Sequence, residues 1–431
     1  MAGPIGRATI VFFPEGAFGP TNNCVGIGAV LRGRGHRVVF VIEESFAGTL
    51  EAKGFEERLM RLKPRPEVPE EPGQFWKDFI RETAPQFRRP TIEQLEGLIA
   101  PIWTELIDGS KFVDPRLREI FDEVRPDAIV QDNVVAFPAV TTAGVPWVRI
   151  VSCNPLEVKD PDLPPTFSGY PTSDRSGWDE FRREYERTHT DLWKDFDAFV
   201  TDCGADPLPP LEFIHESPFL NLYVYPEEAD YERSVPLGER WHRLDSCVRA
   251  TEPPFEVPER LRGRPGGLVY LSLGSLGSAD VALMQRLVAA LAETPHGYLV
   301  SKGPQQEQIE LADNMWGAEY LPQPSILRLA DLVITHAGNN TITECFYFGK
   351  PTVALPLFWD QYDNAQRVDE LGLGVRLPSY EFEPDDLTGA IGRLLADGDL
   401  RGRMGRMAAR LQSSPGTVEA ADLIERLALA R

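Results

Sequence analysis

The chain has 431 residues, 42% hydrophobic and 26% charged, which is the balance of a globular protein of roughly two to three domains. That balance excludes a disordered, collagen-like or disulfide-scaffold chain. With 66 acidic against 44 basic residues the net charge is −22, so the surface repels phosphate backbones and excludes nucleic acid and anionic membranes as expected partners.

The opening predicts a βαβ unit. ATIVFF (8–13) reads as a strand, 14–23 as a turn-rich loop, Cys24–Arg34 as a helix and RVVFVI (37–42) as a second strand. Further strands are expected at 127–132 and 145–152, and helices and loops over 64–115 and 155–220. The Pro-, Gly- and charge-rich stretch 246–266 reads as a linker between domains. A second alternating series follows, with strands expected within 267–275, at 297–303, before His336 and at 351–357. Helices are expected at Val281–Ala292, Asn340–Phe348, Gln361–Gly372, 385–396, 401–412 and 417–430. The division is 1–245, 246–266 and 267–412, with a last helix within 413–431 expected to pack back on the first domain. The expected fold is α/β: two doubly wound, Rossmann-like domains facing one another across a cleft.

Cys24, Cys153, Cys203, Cys247 and Cys345 are scattered and form no CxxC, so they are expected to be reduced thiols of a cytoplasmic protein. MAGPIGRATIVFF does not read as a signal peptide, and no stretch of about eighteen apolar residues predicts a membrane span. Asp160-Pro-Asp162 and Asp195-Phe-Asp197 have a DxD spacing that some metal sites use. In a chain with 66 acids such pairs arise by chance, and no metal or other cofactor is expected.

The segment 320–365 carries the chemistry. It holds Tyr320, Leu321, Pro322 and Gln323, then His336, Gly338, Asn340, Thr341 and Glu344, then Asp360, Gln361, Asn364 and Ala365. His336–Thr341 falls between a strand and a helix start. A helix N-terminus presents free N–H groups and partial positive charge, which suits a diphosphate. The plain alternative is that Thr341-x-x-Glu344 is a helix capping box and His336 a turn residue.

This order and spacing resembles the C-terminal signature of the family 1, nucleotide-sugar-dependent glycosyltransferases, which have the GT-B fold. The resemblance assigns Ser275, His336, Asn340 and Thr341 to the diphosphate, with Gly338 allowing close approach. It assigns Glu344 to the ribose hydroxyls, Tyr320 and the Leu321 backbone to the base, and Gln323 to the same donor site. Asp360 and Gln361 fall to the sugar. It implies an inverting, metal-independent transfer of a hexose from a UDP- or dTDP-sugar to a small, hydrophobic natural-product acceptor. Two ribose hydroxyls on Glu344 would favour UDP.

One feature departs from the family. Its first βα loop carries a catalytic His, which aligns here with Pro20 in Gly19-Pro20-Thr21-Asn22-Asn23, and no histidine lies in 1–35. The acid that orients that His has a match in Asp132. Asp132 and Glu15 are therefore the candidate bases, with His189 and His215 as further ones, and Pro20, Asn22 and Asn23 the acceptor loop. Phe75, Trp76, Phe79, Trp103, Phe112 and Trp178 are candidates for an apolar acceptor pocket. The competing expectation is a catalytically silent relative serving as an auxiliary or activator protein. A sugar-nucleotide C2-epimerase is disfavoured, since that family is held to use an acidic cluster and a different phosphate motif.

Overall fold

A computed structural model describes residues 6–65 and 82–430, without the side chains of Ser275 and Leu276. Phe75, Trp76, Phe79 and the Ser275 side chain thus lie outside the described residues. The first domain is a seven-stranded parallel sheet of β1 (Thr9–Pro14), β2 (Arg37–Glu43), β3 (Glu56–Met60), β4 (Ala128–Asp132), β5 (Trp147–Val151), β6 (Leu220–Val224) and β7 (Trp241–Leu244). Their order is β3-β2-β1-β4-β5-β6-β7. Five of these strands read as near-continuous apolar runs, because helices cover both sheet faces. Ile10, Phe12, Val38 and Phe40 pack on one side with α1 (Phe18–Gly33), while Val11, Phe13, Val39 and Val41 pack on the other with α2 (Ala100–Val124).

The second domain is a six-stranded parallel sheet, β10-β9-β8-β11-β12-β13. Its strands are β8 (Leu268–Ser272), β9 (Gly297–Ser301), β10 (Met315–Ala318), β11 (Leu332–Thr335), β12 (Thr352–Ala354) and β13 (Gly374–Arg376). In each sheet the strand order reverses at one place, between β1 and β4 and between β8 and β11. Ligands of such sheets bind outside the carboxyl ends of the strands at that reversal. Those ends carry Glu15 and Asp132 in one domain, Gly274 and His336 in the other.

The first helix corrects the sequence reading. α1 starts at Phe18 rather than Cys24, so Pro20, Asn22 and Asn23 lie in its first turns and not in a loop. A first-turn residue has no intrahelical acceptor for its N–H, so proline there costs the helix nothing. Strands β3, β6, β7, β10 and β13 were not anticipated. β3, β7, β10 and β13 are sheet edges, and the charged pattern of EERLM in β3 hides its strand character. His189, a further candidate base, is buried in α3 (Trp178–Asp202) and stacked on Tyr185 with 4.0 Å between ring centroids.

The two domains are in polar contact. In α6 (Gln361–Glu370) the buried Asp363 accepts the Phe167 and Gly169 amides at 2.6 and 2.8 Å, and Arg367 donates to the Ala229 carbonyl at 2.7 Å. The last helix, α9 (Gly416–Leu429), lies on the first domain, burying Ala420, Ala421, Ile424 and Ala428 beside Cys24, Ile27 and Leu31. Arg34 and His36 hold its Glu425 at 2.8 and 2.7 Å. All five cysteines are free, and among the described residues no helix is long and apolar enough to cross a membrane.

A Cβ on Gly416 would lie 2.0 Å from the Ser246 carbonyl oxygen, which is backbone and cannot yield cheaply. Gly416→Ala is expected to cost about 1–3 kcal/mol in denaturant unfolding. Gly398→Ala, at a helix start with open space around it, is expected to be neutral or stabilising.

Candidate functional site

One end of the candidate site is built by the β11 turn. His336 follows the strand, Ala337 turns the chain at φ 67°, and α5 (Asn339–Phe348) begins with Gly338 as N-cap. No side chain caps this helix and no acid lies in its first turn, so its leading N–H groups remain available to an anion. Thr341 is thus not an N-cap, and the capping-box alternative falls. Two glycines make room for the imidazole: a Cβ on Gly338 would sit 2.5 Å from His336 Nε2, and one on Gly274 would sit 2.7 Å from its ring. Burial pushes the His336 pKa down to about 4. The imidazole is neutral at pH 7 and carries one N–H rather than a charge.

Beside this turn, Gln323 donates to Thr341 Oγ1 at 3.3 Å and to Glu344 Oε2 at 2.7 Å. Glu344 is buried, and its other oxygen accepts from Arg249 at 2.8 Å and from Asn340 at 3.2 Å. Arg249 comes from the interdomain stretch and carried no sequence signal. Tyr320 is 53% exposed at the cleft mouth, where its ring meets Phe18 of α1 at 5.7 Å; Leu321 packs beneath in a small apolar cluster. Phe18 was also missed. An exposed aromatic at a helix start was the signal available for it.

Asp360 and Gln361 follow β12. Gln361 turns its side chain inward to accept the Leu357 amide at 3.0 Å. Asp360 accepts the Asn154 amide of the first domain at 2.8 Å, and Asn154 donates to Asn364 at 2.9 Å. Burial pushes the Asp360 carboxyl up to about 7, and the Glu157 charge pushes the same way. Trp359, at φ 59°, holds a backbone conformation rare for a bulky residue; its ring wedges against Phe167 at 4.4 Å and Trp103 at 5.3 Å.

Across the cleft, the two candidate bases sit side by side at the first sheet's reversal, with the Glu15 amide donating to the Asp132 carbonyl at 2.8 Å. Their side chains differ. Asp132 is 2% exposed, and Ser152 donates to it while Asn23 donates to Ser152 at 3.0 Å. Burial raises its pKa well above the carboxylate range. Glu15 is half-buried and, among the described residues, its carboxyl takes no hydrogen bond. Burial pushes it up to about 7, with the Glu157 and Asp360 charges adding to the effect. A narrow cleft runs from Glu15 and Gly16 between Phe13, Met60, Leu62, Leu106, Val135 and Phe137.

Other candidates lie elsewhere. His189 Nδ1 donates to the Tyr185 carbonyl, and His215 Nε2 to that of Asp206. Trp178 and Trp103 are buried core rings, whereas Phe112 is exposed. The DxD acids have structural partners: Asp160 holds the Asp162 and Val235 amides, Asp162 pairs with Arg175, Asp195 with Lys111, and Asp197 holds the Leu208 amide. Among the described residues no three His, Cys, Asp or Glu side chains group to hold a metal ion.

Residues 285–427 match the family model "Erythromycin biosynthesis protein CIII-like, C-terminal domain". The chain is 26% identical to the oleandomycin glycosyltransferase of Streptomyces antibioticus, over 97% of this chain and 90% of that protein. In structure it is similar to the glycosyltransferase of kitacinnamycin, with TM-score 0.73 and 22% identity over 98% of this chain and 99% of the other. It is also similar to the spinosyn rhamnosyltransferase SpnG complexed with thymidine diphosphate, with TM-score 0.61 and 20% identity over 98% of this chain and all of the other. With two facing parallel-sheet domains the chain has the GT-B fold, and it is a glycosyltransferase similar to the family 1 enzymes.

Gly338→Ala pushes a methyl group into the His336 ring and the α5 N-terminus. It is expected to weaken nucleoside diphosphate binding at least tenfold by calorimetry, on the order of 1.4 kcal/mol. Far-UV circular dichroism should stay native.

Proposed function

We propose that this glycosyltransferase moves a hexose from a nucleoside diphosphate sugar to a small apolar acceptor, with inversion at the sugar carbon and without a metal. The observation that carries this reading is the pairing of two features at the two sheet reversals. A half-buried carboxyl with a pKa of about 7, Glu15, stands in one domain. An uncapped helix N-terminus beside His336 stands in the other. The N-terminus of α1 meets that of α5: a Cβ on Gly19 would lie 3.7 Å from that of Asn340. The printed names of the relatives, an oleandomycin glycosyltransferase and a rhamnosyltransferase complexed with thymidine diphosphate, support a nucleotide donor and a natural-product acceptor.

In this reading Glu15 takes the acceptor's hydroxyl proton while the acceptor oxygen attacks the sugar carbon. The bond from that carbon to the diphosphate breaks on the opposite face, and the leaving diphosphate is held by the α5 N–H groups and the neutral His336. Asp132 sits behind Ser152 and orders the floor beneath Glu15. Acceptors that ionise readily, such as phenols, would ask least of a carboxylate base.

A silent relative is the second reading. It is favoured by one observation, that Glu344 and Asp360 already have protein partners. Turnover separates the two. With a phenol or macrolide acceptor panel, Glu15→Gln is expected to lower kcat roughly 100-fold or more, within the range of a lost general base. Asp132→Asn is expected to act less on kcat than on stability. An unchanged rate in Glu15→Gln would remove it as the base.

The pH dependence has a definite sign. kcat/KM is expected to rise with an apparent pKa near 7 as Glu15 loses its proton. The folded pKa lies above the ordinary value of 4.5, so the fold keeps a proton that the unfolded chain has lost. Stability from this group therefore falls as pH rises from about 4.5 to 7. Glu15→Gln is expected to flatten that part of the Tm-against-pH curve while abolishing the rate profile.

A further inference from the structure

We infer that Arg249 is a specificity-determining residue, which fills the Glu344 carboxylate so that the donor site selects a 2′-deoxyribose nucleotide over a ribose one. The inference rests on the reading of α5 and Glu344 as the nucleotide site.

The argument is one of acceptor counting. An ionised carboxylate offers about four acceptor positions. On Glu344, Arg249 Nη1 and Asn340 Nδ2 take Oε1 at 2.8 and 3.2 Å, and Gln323 Nε2 takes Oε2 at 2.7 Å. One position is left, on Oε2. A 2′-deoxyribose brings one secondary hydroxyl that must donate, and that position satisfies it. A ribose brings two, so its second hydroxyl finds no free acceptor position on Glu344. A buried donor left unmade is costly.

Arg249 is held in place rather than resting there. Its Nε donates to Glu252 at 2.6 Å, and Lys53 of the first domain stands 3.8 Å from the same carboxylate. The side chain is 8% exposed. Its backbone is pressed against α1, where a Cβ on Gly26 would lie 3.2 Å from the Cys247 carbonyl and 3.6 Å from Arg249 Cα. Swinging the guanidinium away to free Glu344 would therefore break two ion pairs in a packed interdomain seam. The arginine belongs to neither sheet, which is why the signature at 320–365 by itself pointed to UDP.

The test is calorimetric titration of the full chain with UDP, 2′-deoxy-UDP and dTDP. The first two differ only at the 2′ position, so the base methyl does not enter. The wild type is expected to bind 2′-deoxy-UDP at least about tenfold tighter than UDP. Arg249→Met is expected to bring the two affinities within about threefold, because the freed Glu344 oxygen can then accept the second hydroxyl. Glu252→Gln, which loosens the arginine without touching Glu344, is expected to fall between. The wild-type ratio needs no variant to fold. Equal or tighter binding of UDP by the wild type would overturn the inference and leave the nucleotide site standing. So would an unchanged ratio in a folded Arg249→Met. Binding of none of the three would overturn the nucleotide site itself.

Discussion

The site depends on the apposition of two strand-order reversals, one in each domain, held at a fixed distance by buried polar contacts. Asp363 takes two amides of the first domain, Asp360 takes the Asn154 amide, and Asn339 donates to the Ser152 and Val224 carbonyls at 2.9 and 3.2 Å. Without these contacts, Glu15 and His336 would belong to separate sites. Burial in that interface pushes the Asp363 carboxyl up to about 8, against the two amide hydrogen bonds that pull it down. An interface that buries acids trades charge for closeness, and closeness is what a transfer between two bound molecules needs.

Pro20, which the resemblance aligns with the family's loop histidine, lies in the first turn of α1, so that position is on a helix. Asp132 has no imidazole to orient and turns to Ser152, which Asn23 fixes in turn. The resulting Asn23-Ser152-Asp132 chain is internally satisfied, and the titrating group at the cleft is the neighbouring Glu15. Burial and two nearby negative charges bring an ordinary carboxyl to about 7, close to the working pH of a general base. On the donor side a similar economy holds. His336 is held neutral by burial, and the positive end of the site is backbone rather than side chain.

Much was legible in the sequence because it is local. Two βαβ series and the turn at His336 follow from apolar runs, glycines and caps, which act within a few residues. The first-turn proline misled, since a Gly-Pro-Asn string reads as loop unless the neighbouring strand shows where the helix must begin. The edge strands were missed because an edge tolerates charge and brevity that a central strand does not. Trp359, Asn154, Ser152 and Arg249 carried no local signal. Each has at least one partner more than 70 residues away.

The sequence by itself determined the fold class, the family resemblance and the order of the motif at 320–365. These rest on spacing along one chain, and spacing is written in the sequence. Only the tertiary structure decided which acid faces the cleft, Glu15 or Asp132, and how much of Glu344 is left for a ligand. Exposure, proton affinity and free hydrogen-bond capacity are properties of what surrounds a group. For these residues the surroundings come from strands, linker and helices brought together only when both domains close.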